Sequence, residues 1–366
     1  MSKLKILALD QGEHVGGAEI FFSEILNRAS SDYDIHLVTA GGAEYLSSYA
    51  HCSVIIHQIE LPRLRPFSIS TYFKYRGAQR NLQKLIEETS PDLILSNTVR
   101  THLLISPVAK RLKVPLIWMA NDLTFPRFFL KRFLKYPKAI ISCSGYVQDY
   151  YRGFTGKRDI SLHTIYPYGI DEHQLKSISS IKKRPIIGMV GRFIPWKGQE
   201  LFIRAVAELS KKFPEYRFEI IGQPYRGNSK SESYFRHCHQ LIRELNIDSL
   251  LTIHQSVPDV LEAIASWEVL VHCSIEPEPL GRVILEGMSA GCAVVASDQG
   301  GPREVLDQGR TGMLIDVHEQ GALARCLRRL ISDSDERRSL GESALQEIKK
   351  NYSWDKVISA FRKALE

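Results

Sequence analysis

The sequence of 366 residues has no long apolar run, no paired cysteine spacing and no repeated or low-complexity segment. No stretch approaches the roughly 20 apolar residues that span a bilayer, which argues against an integral membrane protein. The six cysteines include no C-x-x-C pair, so we expect free thiols rather than a zinc site or disulfides. The N-terminal MSKLKILALD lacks the apolar core of a secretory signal. We therefore expect a cytoplasmic protein.

The excess of positive charge lies in the first half of the chain. Residues 1–170 hold 21 Lys and Arg against 14 Asp and Glu, whereas the remainder holds 27 of each kind. A basic first half could bind an anionic membrane surface or a phosphorylated substrate. The alternative is a basic surface without such a partner. The run 125–138 alternates apolar and basic residues, and two interpretations stay open. It is either a packed basic helix or a peripheral contact with the inner face of the membrane; nucleic acid is not an expected partner.

Short apolar runs alternate with amphipathic segments, which predicts an α/β fold of parallel sheets covered by helices on both faces. The length fits two domains, and turn formers over 168–184 mark the linker. Doubly wound units bind ligands at the carboxyl ends of their strands, so we expect the site in an interdomain cleft. The predicted strands are 4–9, 35–39, 54–58, 93–96, 116–119, 139–143 and 161–165, then 186–190, 218–221, 251–253, 269–272, 293–296 and 312–315. The predicted helices include 18–29, 75–88, 199–213, 233–245, 280–290 and 320–331.

One polar segment follows a predicted strand of the second half. Glu278 lies in a Pro-rich loop and Gly281 at the start of a predicted helix over 280–290. Free backbone N–H groups and the helix dipole favour anionic or oxygen-rich ligands there. Glu286 lies farther along that helix, on the side of Val283. Carboxylates accept hydrogen bonds from paired hydroxyls such as those of a ribose or hexose; an ordinary solvated helix surface is the alternative.

Glu278 and Glu286 stand as E-x7-E within EPLGRVILEGMSAGCAVVASDQGG, which resembles the signature of the retaining glycosyltransferases of family four. Three further motifs fit that family in order and spacing: GGAE at 16–19, GR with WKG at 191–198, and GGPRE at 300–304. The resemblance implies a GT-B architecture of two facing Rossmann-like domains. Residues 1–170 would bind the acceptor and 171–350 the nucleotide sugar, and the helix in 351–366 would cross back onto the first domain.

The resemblance also implies roles for single residues. Glu278 would hold hydroxyls of the transferred sugar, assisted by backbone N–H groups around Leu280 and Gly281, and Glu286 would bind the ribose. Val283 would line the same donor site. The loop of Gly16 and Gly17 would approach the diphosphate or the acceptor, and a tight turn is its alternative interpretation.

Arg192 and Lys197 lie in the loop that joins a predicted strand to a helix starting near Gly198. Two permanent cations beside a helix N-terminus can bind a pyrophosphate and stabilise the charge it gains as a sugar leaves. They would replace a metal ion, and no Asp-x-Asp pair or histidine spacing indicates a metal site. Solvated surface cations are the alternative.

One position departs from the family pattern. After the strand 116–119 the family usually has a His that contacts the donor sugar, whereas this chain has Asn121 and Asp122. An Asn can hydrogen-bond a sugar but takes no proton. We therefore predict sugar positioning for Asn121 and acceptor activation for Asp122, with an Asx turn as the alternative. Tyr168 likewise stands where the family commonly has Asn, and it receives no role.

The resemblance implies metal-independent transfer of a hexosyl unit, with retention, from a nucleotide diphosphate sugar to a saccharide or lipid-linked acceptor in polysaccharide or glycoconjugate synthesis. We expect a UDP-sugar such as UDP-glucose first and a GDP-sugar second, with no further cofactor. No nucleophilic carboxylate is evident, so front-face departure is favoured. The alternatives are a nucleotide-sugar epimerase of the same shape and a non-catalytic nucleotide-sugar-binding protein.

Overall fold

The computed structural model describes residues 3–12, 16–49, 53–62, 69–123, 136–155, 160–225 and 227–366. It divides into two compact units, Met1–Pro167 with Asp355–Glu366, and Tyr168–Trp354. The amphipathic run 125–138 lies outside the described residues except for 136–138, so its interpretation is untested. No helix in the described ranges is both long and apolar enough to cross a membrane.

The first unit is built on a seven-stranded parallel sheet of order β3-β2-β1-β4-β5-β6-β7. Its strands are β1 (Lys5–Leu9), β2 (Asp34–Thr39), β3 (Val54–Gln58), β4 (Leu93–Ser96), β5 (Leu116–Ala120), β6 (Ala139–Ser142) and β7 (Ser161–Thr164). Its helices are α1 (Gly17–Ala29), α2 (Ala43–Ser47), α3 (Ile69–Thr89), α4 (Val99–Leu112) and α5 (Gly145–Thr155). The strand order reverses at β1, which pairs with both β2 and β4. Ligand sites of doubly wound sheets lie at such a reversal, beyond the carboxyl ends of the strands.

The second unit has a six-stranded parallel sheet of order β10-β9-β8-β11-β12-β13. Its strands are β8 (Arg184–Val190), β9 (Arg217–Ile221), β10 (Leu251–His254), β11 (Trp267–His272), β12 (Ala293–Ser297) and β13 (Met313–Ile315). Its helices are α6 (Glu172–Ser179), α7 (Gln199–Leu209), α8 (Ser229–Glu244), α9 (Val260–Ala265), α10 (Arg282–Ser289), α11 (Pro302–Val305), α12 (Ala322–Ser332) and α13 (Ser334–Asn351). Here the order reverses at β8, which pairs with both β9 and β11.

The C-terminal helix α14 (Trp354–Leu365) packs, from Asp355 onward, within the first unit. Phe361 on this helix is fully buried. Arg362 Nε donates a hydrogen bond to Asp32 Oδ2 over 3.0 Å, and Lys138 donates one to the Glu366 carbonyl. The first unit is thus completed by residues from the opposite end of the chain.

The predicted strands are all present, to within two residues at either end. The predicted helix ends are less accurate. Two helices, predicted over 280–290 and 320–331, begin instead at Arg282 and Ala322. In both cases the preceding residue is a glycine in the left-handed region, Gly281 at φ +84° and Gly321 at φ +74°, which interrupts helical geometry. The helix predicted over 199–213 ends at Leu209.

Gly188 in β8 shows how closely the second core is packed. A Cβ atom added there would lie 2.2 Å from the ring of Trp267, which is fully buried in the neighbouring strand β11. The ring therefore occupies the space that any larger residue at 188 would need.

We expect Gly188→Ala to lower the free energy of unfolding by about 1–3 kcal/mol, because the buried ring must shift. Gly77→Ala is the matched control. Gly77 lies inside α3 with nothing within 4 Å of its added Cβ, so the change should stabilise by about 1 kcal/mol. Denaturant unfolding of both variants measures this. If both variants change the free energy of unfolding by the same amount in the same direction, the packing argument is contradicted.

Candidate functional site

The loop after β11 is held in place by the glycine pair that follows β12. Gly301 N–H donates to the Glu278 carbonyl over 2.9 Å, and Gly300 forms a bridge with Glu278. Gly300 has φ +64°, and a Cβ added to Gly301 would lie 2.2 Å from the Pro279 carbonyl oxygen. Only glycines allow this approach, so the GGPRE motif fixes the backbone on which Glu278 stands.

The Glu278 carboxylate is 12% exposed and accepts hydrogen bonds from three side chains. Lys197 Nζ donates to Oε1, and His272 Nε2 donates to Oε2. Ser274 Oγ also donates to Oε2, over 2.9 Å. A buried carboxylate is therefore paired with one permanent cation and hydrogen-bonded on both oxygens.

The pKa of Glu278 follows from two opposed effects. Burial by itself raises it, because the charged form loses its hydration. The charges and hydrogen bonds of Lys197 and His272 outweigh burial and hold the pKa well below the ordinary value of 4.5. The carboxylate is thus ionised at neutral pH, and both of its oxygens can only accept hydrogen bonds.

Lys197 reaches Glu278 from a short turn before α7. Residues Pro195–Lys197 form a 3-10 turn, and Gly198 follows at φ +80°. A Cβ at Gly198 would lie 2.1 Å from the Cys273 carbonyl oxygen, so the WKG turn packs directly on the chain that leaves β11. Ile275 N–H donates to the Trp196 carbonyl over 2.8 Å and ties the two loops together. The backbone therefore brings Lys197 and Glu278 to the same place.

Arg192 takes a different position from Lys197. Its guanidinium lies 4.3 Å from the ring centre of Tyr225, a cation–π contact. The fully buried Gln199 donates from Nε2 to the Arg192 carbonyl over 2.8 Å and so fixes the loop after β8. The two predicted cations lie in one loop, and Lys197 forms an ion pair with Glu278.

The rest of the predicted donor site lies on and before α10. Gly281 precedes the helix, Leu280 is 3% exposed, and Val283 is half-buried in the first turn. Glu286 Oε1 accepts a hydrogen bond from Arg282 Nε over 3.0 Å. The Glu286 carboxylate is thus already oriented along the helix surface.

Tyr168, to which the sequence gave no role, packs against the same helix. Its hydroxyl lies 2.6 Å from Ser289 Oγ, and the Arg282 guanidinium is 6.0 Å from its ring centre. The buried Tyr168 therefore supports α10.

In the first unit, the GGAE motif forms the start of α1. Gly16 N–H donates to Glu19 Oε2 over 3.1 Å, so the Glu19 carboxylate closes the first turn of the helix. Gly17 is exposed. The structure thus assigns Glu19 the helix-terminal position, and the predicted diphosphate or acceptor contact of Gly16 and Gly17 stays a prediction.

A chain of polar side chains joins the carboxyl ends of β1, β4 and β5. Asn121 Nδ2 donates to the carbonyl and to Oδ1 of Asn97, each over 2.9 Å. Asn97 Nδ2 donates in turn to Asp10 Oδ1 over 3.1 Å, and Tyr45 donates to the other Asp10 oxygen. Burial raises the pKa of Asp10, and these hydrogen bonds oppose the shift. Asn121 is therefore held by the residue that follows β4, whereas the segment that an Asx turn would cap lies outside the described residues.

Asp122 follows Asn121 and is half-buried. Its carbonyl accepts a hydrogen bond from the Tyr151 hydroxyl over 2.7 Å, which fixes the backbone of this residue. Its predicted role in acceptor activation stays a prediction.

Sequence reasoning missed His272, Asp10 and Asn97. His272 ends an apolar strand in which it read as a core residue, whereas Asp10 and Asn97 each directly follow a predicted strand. Their position directly after a buried parallel strand could have identified Asp10 and Asn97 as candidate site residues. Across the described ranges, no group of three or more His, Cys, Asp and Glu side chains is arranged to hold a metal ion.

Comparisons with known proteins agree for both units. Residues 171–347 match the family model for glycosyl transferases group 1, and residues 15–174 match that for Glycosyltransferase Family 4. Spore coat protein SA of Bacillus subtilis is 28% identical over 54% of this chain and 54% of its own. D-inositol 3-phosphate glycosyltransferase of Corynebacterium aurimucosum is 31% identical over 54% of this chain and 46% of its own. The chain thus spans about half the length of these curated relatives.

A solved structure extends the likeness over the whole chain. Anabaena Alr3699/HepE in complex with UDP-glucose superposes with a TM-score of 0.80, covering 99% of each chain at 22% identity. At that identity the likeness establishes the fold, which is GT-B, as the sequence predicted.

The ion pair at the centre of the site has a testable dependence on pH. Removing one partner of a buried pair costs about 3–5 kcal/mol, and we expect a loss of this order for Lys197→Met at pH 7. The Glu278 pKa is depressed by folding, so its contribution is present above the ordinary value of 4.5 and is lost as the pH falls through the folded value. The penalty of Lys197→Met should therefore shrink below about pH 4.5.

Denaturant unfolding of parent and variant from pH 7 to pH 3 measures this difference. Lys211→Met is the matched control, because Lys211 is exposed. A Lys197→Met penalty that stays constant over this range would contradict the assigned ion pair.

Proposed function

The chain belongs to the GT-B glycosyltransferases of group 1 and family four, and on that premise we propose that it transfers a hexosyl unit from a nucleotide diphosphate sugar. The observation that carries the proposal is the buried, ionised Glu278 beside Lys197 and the N-terminal end of α10. A fixed carboxylate accepts from sugar hydroxyls, and an ammonium beside it suits a phosphate.

We propose a division of tasks within the second unit. Glu278 holds hydroxyls of the transferred sugar, with the backbone at Leu280 and Gly281 beside it. Glu286 accepts from the ribose hydroxyls, and Val283 lines the same surface. Arg192 and Lys197 bind the diphosphate and stabilise the charge that develops on it as the glycosidic bond breaks.

UDP-glucose is the proposed donor. Support comes from Anabaena Alr3699/HepE, which was solved with UDP-glucose and shares the fold. A GDP-sugar is the second choice. The proposed acceptor is a saccharide or a lipid-linked saccharide in polysaccharide or glycoconjugate synthesis, and the basic first half of the chain suits a phosphorylated acceptor or an anionic membrane surface.

We propose retention by front-face departure without a metal ion. The Glu278 carboxylate is a poor candidate for a covalent nucleophile, because three donors occupy it and its pKa lies well below the ordinary value. The leaving phosphate would instead hydrogen-bond the acceptor hydroxyl and assist its deprotonation, and Asp122 would take the proton. Lys197 and Arg192 would supply the positive charge that a metal ion supplies elsewhere.

In the first unit, we propose that the loop of Gly16 and Gly17 contacts the diphosphate or the acceptor. Asn121 positions a sugar, and Asp122 assists in accepting the proton of the acceptor hydroxyl. The rigid support of Asn121 by Asn97 favours a positioning role.

Purified protein mixed with UDP-glucose and a panel of saccharide acceptors tests the function. We expect release of UDP and a product with the anomeric configuration of the donor by NMR, at a rate that EDTA does not change. An altered sugar without an acceptor product would instead identify an epimerase. Binding without turnover would identify a non-catalytic protein.

Lys197→Ala should lower kcat with UDP-glucose by on the order of 10²- to 10³-fold, since it removes charge stabilisation of the leaving diphosphate. Lys211→Ala, which changes an exposed lysine, should leave kcat unchanged. Steady-state kinetics of both variants provide the measurement. A Lys197→Ala enzyme with parental kcat would remove Lys197 from the mechanism.

Asp122→Asn should slow transfer to the acceptor by on the order of 10²-fold or more, because a general base is lost. Its affinity for UDP should stay at the parental level. Calorimetry with UDP and transfer rates on the same preparation separate the two quantities. An unchanged transfer rate would show that Asp122 takes no proton.

A further inference from the structure

The proposed function gives no task to two side chains that donate to Glu278 Oε2, Ser274 and His272. His272 is the last residue of β11, which pairs with β8 on one side and β12 on the other. Its side chain is 3% exposed, and Nε2 donates to Glu278 Oε2. Nδ1 is buried and has no hydrogen-bond partner among the described residues.

The hydrogen-bond partners fix the orientation of the imidazole. Glu278 is ionised and can only accept, so Nε2 must carry the proton of this hydrogen bond. No described residue offers Nδ1 a hydrogen-bond partner that would favour the opposite orientation of the ring. Nε2 also lies 3.3 Å from Ser274 Oγ, so the imidazole faces both the carboxylate and the hydroxyl that donates to it.

The space around Nε2 is kept free by a glycine. A Cβ atom added to Gly281 would lie 3.0 Å from His272 Nε2. Gly281 also has φ +84°, a conformation that side chains rarely adopt. The residue that starts α10 thus leaves room for the imidazole to reach Glu278.

The acceptor positions of Glu278 can be counted. Oε2 accepts from His272 and Ser274, which uses both of its lone pairs, and among the described residues Oε1 accepts from Lys197 alone. One acceptor position on Oε1 remains for a ligand hydroxyl. The direction of that position depends on the orientation of the whole carboxylate.

We propose that His272 is a positioning residue, which holds the Glu278 carboxylate so that its remaining Oε1 acceptor position takes a hydroxyl of the transferred sugar. This inference rests on the proposed function. Lys197 is less suited to orienting the carboxylate, because its four-carbon side chain is flexible and its ammonium also binds the diphosphate in the proposed function. His272 has two side-chain torsions and stands on a central strand, so it keeps the carboxylate in place whichever group Lys197 contacts.

Three variants test the proposal. His272→Leu removes the donor, whereas His272→Gln can still donate from an amide nitrogen near the position of Nε2. Ser274→Ala removes the second donor to Oε2 and leaves the imidazole. The measured quantities are kcat with UDP-glucose, the dissociation constant of UDP and the unfolding midpoint.

We expect His272→Leu to lower kcat on the order of 10- to 100-fold, because the sugar is misplaced, while the UDP affinity stays within about twofold. His272→Gln should recover most of the lost kcat, and Ser274→Ala should have the smaller effect. Crystal structures of the same variants give a readout that needs no turnover: the Glu278 carboxylate should be ordered in the parent and in His272→Gln, and reoriented in His272→Leu.

The proposal is overturned if the Leu variant keeps the parental kcat, or if the Gln variant is as impaired as the Leu variant. It is also overturned if UDP affinity falls in parallel with kcat, or if the Glu278 carboxylate keeps its orientation in His272→Leu. A parent enzyme that does not turn over UDP-glucose would instead contradict the proposed function, and the crystal structures would still decide the role of His272.

Discussion

The second unit depends on one constraint, the need to keep a negative charge at Glu278 where little water reaches it. An isolated buried carboxylate would be neutralised, so its ionised state requires compensation by protein groups. Lys197 supplies the charge, and His272 supplies a rigid hydrogen bond. The WKG turn and the glycine pair after β12 are the backbone devices that bring these groups together. Motifs that are separate in sequence thus serve a single electrostatic requirement.

The fold was largely predictable, because a buried parallel strand leaves a strong sequence signal. Most strands are short runs of apolar residues that are buried on both faces, and such runs are visible in one sequence. The edge strands β3 and β7 are partly exposed. Helix starts were less accurate. Leu280 and Gly281 fit the apolar period of α10, but the left-handed conformation of Gly281 delays the helix until Arg282. A period in the sequence does not reveal which glycine adopts positive φ.

The candidate site was predictable only in part. Glu278, Glu286 and Lys197 were visible because they lie in motifs, but the pairing of Lys197 with Glu278 joins residues 81 positions apart, and each had been given a separate ligand. His272 was hidden because a single histidine at the end of an apolar strand reads as part of the core. In the first unit, Asp10 and Asn97 lack any motif, and only the pairing of β1 with β4 makes them neighbours of each other.

The polar chain in the first unit has a consequence for how this family varies. Both N–H groups of the Asn121 amide are used on Asn97, and the Asn97 amide is in turn oriented by the Asp10 carboxylate. An imidazole at 121 has a different shape and a different arrangement of donors and acceptors. It could not simply replace this amide while Asn97 and Asp10 stay as they are. The side chains at the three positions therefore depend on one another, and we expect relatives with His at 121 to differ at 97 or 10 as well.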